Sequence, residues 1–176
     1  MTDRRLAIPH LDLLQDLLHR AGYERVVVEP ELVEFGDYET LERYVVRDTG
    51  VAGWRGDRGA GDWTGVVFED PDDAARWIAT SAAGVLRDRA GLRRAHWLRS
   101  RPEELPEGMS LTVADGKNVL LWDVDGVDHR AWFGSGRFLA PAVQFATVAR
   151  VRVDRIERCA LESDSRTAFA AASAGR

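Results

Sequence analysis

The stretch SLTVADGKNVLLWDVDGVDHRAWF, residues 110–133, decides the fold class of this chain. It contains two Asp-Gly pairs, Asp115-Gly116 and Asp125-Gly126, and this dipeptide favours tight two-residue hairpin turns. Three runs of strand-forming residues are separated by these pairs, at 110–114, 118–124 and 129–133. The stretch therefore predicts a meander of three antiparallel strands.

Two helices are predicted upstream of the meander. The first begins near Pro9, has leucines at helical spacing and stops at Gly22. The second has Asp70 as its N-cap and Pro71 as its first residue, and Gly91 ends it. Both have acidic residues early and basic residues late, which suits the helix dipole.

The rest of the chain predicts further short elements. Strands are expected at 26–28, 32–35, 41–46 and 64–68, with a helical turn as the alternative for 41–46. Residues 50–62 contain five glycines and predict a loop, while apolar runs at 138–149 and 153–161 predict two more helices. Trp63, Trp77 and Trp122 lie in predicted elements and are expected in the core.

Helices and strands occur in blocks along the chain and do not alternate strictly. This order predicts an α+β fold, with an antiparallel sheet and hairpin meander packed against a few helices. Residues 1–161 are expected to form a single domain. Residues 162–176 are small, polar and alanine-rich, and we expect them to be a mobile tail.

Composition excludes several classes of protein. Of 176 residues, 45% are hydrophobic and 30% are charged, which is ordinary for a soluble globular protein. No apolar run approaches the ~18 residues of a membrane span, and no signal-peptide core follows the charged start. The single cysteine, Cys159, cannot form an internal disulfide. We therefore expect a cytoplasmic protein that does not bind membranes.

The net charge of −5 is concentrated in one segment. Residues 24–48 contain eight acidic residues and three arginines, a balance that favours a basic protein partner. The arginine-rich stretch at residues 87–101 is interpreted as a solvated helix end. No nucleic-acid partner is predicted.

Sequence motifs for catalysis or cofactor binding are absent. The glycine-rich stretch lacks the Gly-Lys-Ser/Thr ending of a phosphate loop, and it precedes a strand. Asp123, Asp125 and Asp128 do not have the spacing of a calcium loop, and the four histidines have no metal-ligand spacing. We therefore predict no cofactor, no metal and no enzymatic activity.

Four segments resemble the actinobacterial immunity proteins of immunity-protein family 61. They are LERYVV at residues 41–46, FEDPDDAARWI at residues 68–78, the meander through Trp122, and AVQFA at residues 142–146. The likeness extends roughly from Leu11 to Leu161 and leaves out the tail.

The resemblance implies a binding protein and not an enzyme. A member of this family is the immunity factor of a secreted necrotizing toxin that hydrolyses NAD. By this likeness, the chain binds the catalytic domain of a cognate toxin inside the producing cell and blocks its NAD site. The alternatives are a chaperone or other binding module for a secreted effector, and a small uncharacterised enzyme.

Loop composition suggests which residues contact such a toxin. An NAD pocket accepts a pyrophosphate, so acidic side chains on a hairpin tip can occupy it as phosphate mimics. Trp54 and Trp132 are either interface anchors or lids on the core, with equal weight. The predicted contacts are Asp123, Asp125 and Asp128 at the tip, His129, Arg130 and Trp132 at the rim, Trp54, Arg55 and Arg58 in the glycine-rich segment, and Asp37 and Glu39 for electrostatic steering.

Overall fold

A computed structural model of the chain describes residues 6–57, 60–93, 101–135 and 140–175. In these ranges, eight strands form one antiparallel sheet in the order β1-β2-β3-β4-β5-β8-β7-β6, and this confirms the α+β class. The strands are β1 (Arg25–Glu29), β2 (Leu32–Gly36), β3 (Thr40–Arg47), β4 (Gly50–Asp57), β5 (Ala60–Phe68), β6 (Met109–Ala114), β7 (Lys117–Val124) and β8 (Val127–Ser135). The helices are α1 (Leu11–Arg20), α2 (Pro71–Arg89), α3 (Ala140–Ala146), α4 (Val153–Leu161) and α5 (Ser165–Ala174). None of these helices is long and apolar enough to cross a membrane.

The predicted meander is confirmed in β6, β7 and β8. Both Asp-Gly turns have positive φ at both residues, 50° and 73° at Asp115 and Gly116 and 53° and 80° at Asp125 and Gly126. Positive φ at both central positions is the geometry of a type I′ turn, whose twist matches that of the flanking strands. Pairing continues to Val124 opposite Val127, so β7 and β8 extend as a ribbon to the tip.

Helix α2 begins as the sequence predicts. The Asp70 side chain accepts a hydrogen bond from the backbone N–H of Asp72 at 2.9 Å, and Pro71 occupies the first turn. Asp73 and Arg76 are buried on this helix, and Gly91 follows its end with φ of 67°. The start of α2 is thereby fixed beside the end of β5.

The described helices pack on one face of the sheet, which we call the inward face. On this face Phe68 of β5 meets Phe133 of β8 at a ring-centroid distance of 5.8 Å and Phe145 of α3 at 5.0 Å. Trp77 of α2 packs on Phe68 at 6.5 Å, and Trp122 is 3% exposed. These contacts confirm the expected core positions of Trp77 and Trp122.

The predicted loop at residues 50–62 is wrong for the described residues of this segment, 50–57 and 60–62, which are in strands. They form β4 and the beginning of β5, which are paired along most of their length. A Cβ at Gly56 or Gly61 would collide with the ring of Trp54. These glycines therefore make room for a tryptophan lying across two strands, and the composition typical of a loop has a packing cause.

The last described segment of the chain forms a further helix. Residues 165–174 form α5, with Asp164 as N-cap, and its side chain accepts a hydrogen bond from the N–H of Thr167 at 3.1 Å. Phe169 is 1% exposed. Burial of this one phenylalanine among alanines anchors the helix to the core.

Strand pairing within the sheet is shortest between β5 and β8. Only two residue pairs join these strands, Val67 with Trp132 and Phe68 with Ala131. Beyond them, a Cβ at Gly65 would lie 2.7 Å from the Cα of Gly134, and both glycines have positive φ. We call this junction the seam. It joins a five-stranded part, β1–β5, to a three-stranded part, β6–β8.

Candidate partner-binding surfaces

The acidic tip of the β7–β8 ribbon is held by backbone contacts. The Asp123 carboxylate accepts a hydrogen bond from the N–H of Gly126 at 3.1 Å, and the Arg150 guanidinium donates to the Asp123 carbonyl oxygen at 3.1 Å. Asp125 and Asp128 are exposed, and neither carboxylate has a hydrogen bond or ion pair within the part of the chain that the structure describes. The tip therefore presents two free carboxylates on an ordered turn.

His129 follows the tip and lies on the inward face. Its ring stacks on Trp122 at a centroid distance of 5.4 Å, and its Nδ1 lies 3.4 Å from an Asp73 carboxylate oxygen. The Asp73 hydrogen bond raises the pKa of His129 above its usual value, although burial acts in the opposite direction. His129 thus links the ribbon to the start of α2.

The carboxylates of Asp70 and Asp73 lie close enough to His129 for the three to share a metal ion. No sequence motif reveals this group, because 56 residues separate Asp73 from His129. Arg76 donates to Asp73 at 2.6 Å and already supplies positive charge there. Burial nevertheless raises the pKa of Asp73, against the opposing effects of His129 and Arg76.

Arg130 and Trp132 lie on the opposite side of β8, which we call the outward face. The Arg130 guanidinium forms an ion pair with Glu69 at 2.6 Å and lies 5.3 Å from the centroid of the Trp132 ring. Trp132 is opposite Val67 across the seam. The three residues predicted as a rim beside the tip therefore lie on different faces of the sheet. His129 is on the inward face, and Arg130 and Trp132 are on the outward face.

Trp54 belongs to the same outward face, on β4. It is opposite Trp63 of β5, and the Arg43 guanidinium carbon lies 4.4 Å from the centroid of its ring. Trp63 is 52% exposed, with the Arg47 guanidinium carbon 4.7 Å from its ring centroid. The expected core position of Trp63 is therefore wrong, because it faces away from the helices.

The other predicted contacts in this half of the sheet are dispersed. Arg55 is exposed and, because strand side chains alternate, projects opposite to Trp54. Arg58 lies outside the described residues. Asp37 and Glu39 are in the β2–β3 turn, where the Asp37 carboxylate accepts hydrogen bonds from the N–H groups of Glu39 and Thr40. These bonds lower the pKa of Asp37.

The two ends of the sheet carry different predicted contacts. The β2–β3 turn and Trp54 line one surface pocket, together with Gly56 near the end of β4. The acidic tip lies at the other end, beside Glu69 and Asp70, because β8 runs antiparallel to β5. Thus the structure brings Asp37, Glu39 and Trp54 together and separates them from Asp125 and Asp128.

Glu34 is a charged residue on the outward face that the sequence analysis does not single out. Its side chain is 4% exposed and forms ion pairs with Arg25 and Arg43. Burial acts to raise the pKa of Glu34, but hydrogen bonds from the two arginines outweigh it and hold the pKa below its usual value. Arg43 therefore joins Glu34 to the ring of Trp54.

Comparison with known proteins adds to this geometry. The family model of immunity protein 61 matches residues 17–166. The chain belongs to the immunity protein 61 family. This membership confirms the resemblance found in the sequence, and it gives the chain an immunity role with a protein partner, the toxin.

A solved structure resembles this family member in fold. Rv3902c from M. tuberculosis superimposes with a TM-score of 0.69 at 14% sequence identity, over 91% of this chain and 92% of that chain. None of the curated proteins matches the sequence. The range matched by the family model contains every predicted contact residue and ends at the start of α5.

Proposed function

We propose that this immunity protein binds the catalytic domain of a cognate NAD-hydrolysing toxin and blocks its NAD site. It acts in the cytoplasm of the producing cell, before the toxin is exported, and it inhibits without being an enzyme itself. Membership of the immunity protein 61 family supports the immunity role. The choice of an NAD-hydrolysing target follows from the resemblance described above.

The observation that carries this proposal is the pair of free carboxylates at the ribbon tip. NAD contains a pyrophosphate, so a pocket that binds NAD offers basic side chains or open amide groups to two negative charges. Asp125 and Asp128 supply two negative charges on an exposed, ordered turn. In the complex, their carboxylates occupy the positions of the phosphate oxygens.

The outward side of the ribbon extends the contact beyond the pocket. Arg130 is held by Glu69 and lies against Trp132, so these side chains form the rim that excludes water. His129 has a positioning role, since its contact with Asp73 fixes the ribbon relative to α2. The acidic turn at Asp37 and Glu39 speeds the encounter with a basic partner.

Self-protection requires tight binding. A dissociation constant of ~1 nM corresponds to about −12 kcal/mol. An interface of roughly 1,600 Å² reaches this value when a few aromatic or arginine anchors are buried in it. Two carboxylates alone are too small a contact, so the proposal requires the rim as well.

The test replaces both tip carboxylates by amides, in the double variant Asp125→Asn/Asp128→Asn. Asparagine tolerates positive φ, so the turn is retained while its charge is lost. Inhibition of NAD hydrolysis by the catalytic domain encoded in the neighbouring open reading frame is measured. We expect the inhibition constant to rise about 100-fold, because two charge-assisted contacts are lost.

A matched control is Asp115→Asn, in the Asp-Gly turn between β6 and β7. That turn has the same backbone geometry but lies at the other end of β7. Unchanged inhibition by the tip variant would contradict the phosphate-mimic mechanism. Binding without inhibition by the wild-type protein would favour the chaperone, and NAD turnover by the immunity protein alone would favour the enzyme.

A further inference from the structure

The outward sides of β3, β4 and β5 carry an unusual set of side chains. The register places Arg43 opposite Trp54, and Trp54 opposite Trp63, while Arg47 lies over Trp63. We call these four residues the tryptophan–arginine face. The described helices pack on the inward side of the same strands, so they leave this face uncovered.

Each tryptophan is paired with one arginine. The guanidinium carbons lie 4.4 Å and 4.7 Å from the ring centroids, within the range of a cation–π contact. Such a contact restricts two long side chains before any partner arrives. A preorganised surface loses less conformational entropy on binding, and tryptophan and arginine are the residue types most enriched in interface hot spots.

The face differs in charge from the protein as a whole. The net charge of the chain is −5, yet the outward positions of β3, β4 and β5 contain two arginines and no acidic residue. Glu34 on the neighbouring β2 is buried beneath Arg25 and Arg43 and stays ionised between them. A partner complementary to this face is therefore acidic, with apolar side chains that accept the indole rings.

We propose that the tryptophan–arginine face docks on an acidic surface of the same toxin domain, outside its NAD pocket. This inference rests on the proposed function and adds a second contact area to it. The tip and the face are on opposite sides of the seam, and Trp132 of the rim is opposite Val67 of β5. The outward side of the sheet thus connects the two areas.

Single-stranded nucleic acid is the competing occupant, because bases stack on aromatic side chains beside arginine. Two features of the molecule favour a protein. Asp37 and Glu39 lie next to Trp54 at one end of the sheet, and Asp125 and Asp128 occupy the other end. A phosphate backbone carries negative charge along its whole length and would meet these acidic turns on both sides, whereas an acidic patch on a folded protein can be confined to the two arginines.

The test uses Trp63→Ala, Arg47→Ala and Arg47→Lys in the full chain. Trp63 is half exposed, so its removal leaves the core intact, and circular dichroism checks the fold. Affinity for the catalytic domain encoded in the neighbouring open reading frame is measured by titration calorimetry. Val113→Ala is the control, since Val113 is 61% exposed and lies on β6, away from the face.

We expect Trp63→Ala to weaken binding about 30-fold and Val113→Ala to leave it unchanged. Arg47→Ala should also reduce the salt dependence of binding, and Arg47→Lys should restore that dependence with only part of the affinity. A wild-type protein that binds but is unaffected by all the face variants would overturn this docking surface alone. A wild-type protein that does not bind the toxin domain would overturn the proposed function and the docking surface together. Binding of an oligothymidylate that Trp63→Ala abolishes would assign the face to nucleic acid instead.

Discussion

The two faces of the sheet use the same residue types in opposite ways. Trp122 on the inward face is 3% exposed and stacks on His129, whereas Trp63 on the outward face is 52% exposed and lies under Arg47. Both residues are in strands of one sheet. An aromatic residue on the side covered by the helices stabilises the fold, and one on the other side remains exposed to a partner. The position in the sheet decides this, and the residue type does not.

The two faces also differ in the source of their stability. Inward aromatic rings contact one another and exclude water, and large apolar side chains buried in this way contribute several kcal/mol each. Outward rings contact arginine, and an exposed cation–π pair contributes about 0.5–1 kcal/mol. The inward face therefore carries most of the free energy of folding, and the exposed rings of the outward face can change with little effect on it.

The largest expected effect of a substitution is at Phe68. This residue is 0% exposed and contacts three other rings, so Phe68→Ala should reduce the free energy of unfolding by about 3–5 kcal/mol. Trp63→Ala removes a larger side chain but should reduce it by about 1 kcal/mol or less. Urea unfolding of the two variants measures the contrast. Equal losses would contradict the distinction between the faces.

Glu34 is the exception on the outward face, because it is a buried charge whose removal should affect stability. Glu34→Gln leaves Arg25 and Arg43 without a carboxylate and should reduce stability at neutral pH by about 1–3 kcal/mol. The folded-state pKa of Glu34 is lowered, so its stabilisation is present above about pH 4.3 and is lost as pH falls through the folded pKa.

Urea unfolding of the wild-type protein and Glu34→Gln at pH 7 and at pH 3 measures this dependence. The difference between the two proteins should shrink on acidification. Glu29→Gln, at the exposed end of β1, serves as a control for loss of one carboxylate. A difference that grows at low pH would reverse the sign of the linkage and refute the assignment.

The smallest effect concerns His129 on the inward face. Asp73 raises the folded-state pKa of His129, so protonated His129 stabilises the fold fully below about pH 6.5, and this contribution is lost as pH rises through the folded pKa. His129→Gln should therefore reduce stability by about 1 kcal/mol at pH 6 and by less at pH 9.

Thermal unfolding at the two pH values checks this prediction. His19→Gln is the control, since His19 is exposed on α1. The charged groups that face His129 are Asp70 and Asp73, and Arg76 opposes them from the same helix. A loss that is greater at pH 9 would show that the neutral histidine is the stabilising form.

The elements predicted correctly are those with local signals. The start of α2 follows from Asp70 and Pro71, and the meander follows from two Asp-Gly turns, because caps and tight turns depend on a few adjacent residues. The sequence predicts a loop for β4 because glycine-rich segments usually form loops. In the structure these glycines make room for the ring of Trp54. That ring lies over Gly56 and Gly61, and the contact with Gly61 depends on strand pairing.

The candidate surfaces were predictable only in part. Loop composition identifies the acidic tip and Trp54, but it cannot show that Trp54 and Trp132 share a face, since this depends on the pairing of β5 with β8. Trp63 was assigned to the core because a tryptophan in a strand is usually buried. Arg43, Tyr44, Val45 and Val46 alternate polar and apolar residues imperfectly, so the sequence does not reveal that Arg43 and Arg47 face outward.

The seam has a consequence for how a family of such inhibitors diversifies. Backbone pairing at this junction consists of two residue pairs, next to which Gly65 and Gly134 approach closely, while Phe68 and Phe133 pack across it on the inward face. We expect substitutions at the ribbon tip to leave the pairing of β1–β5 intact, because strand pairing between the two parts is confined to this junction. The two parts can then vary in sequence separately, provided that both glycines persist.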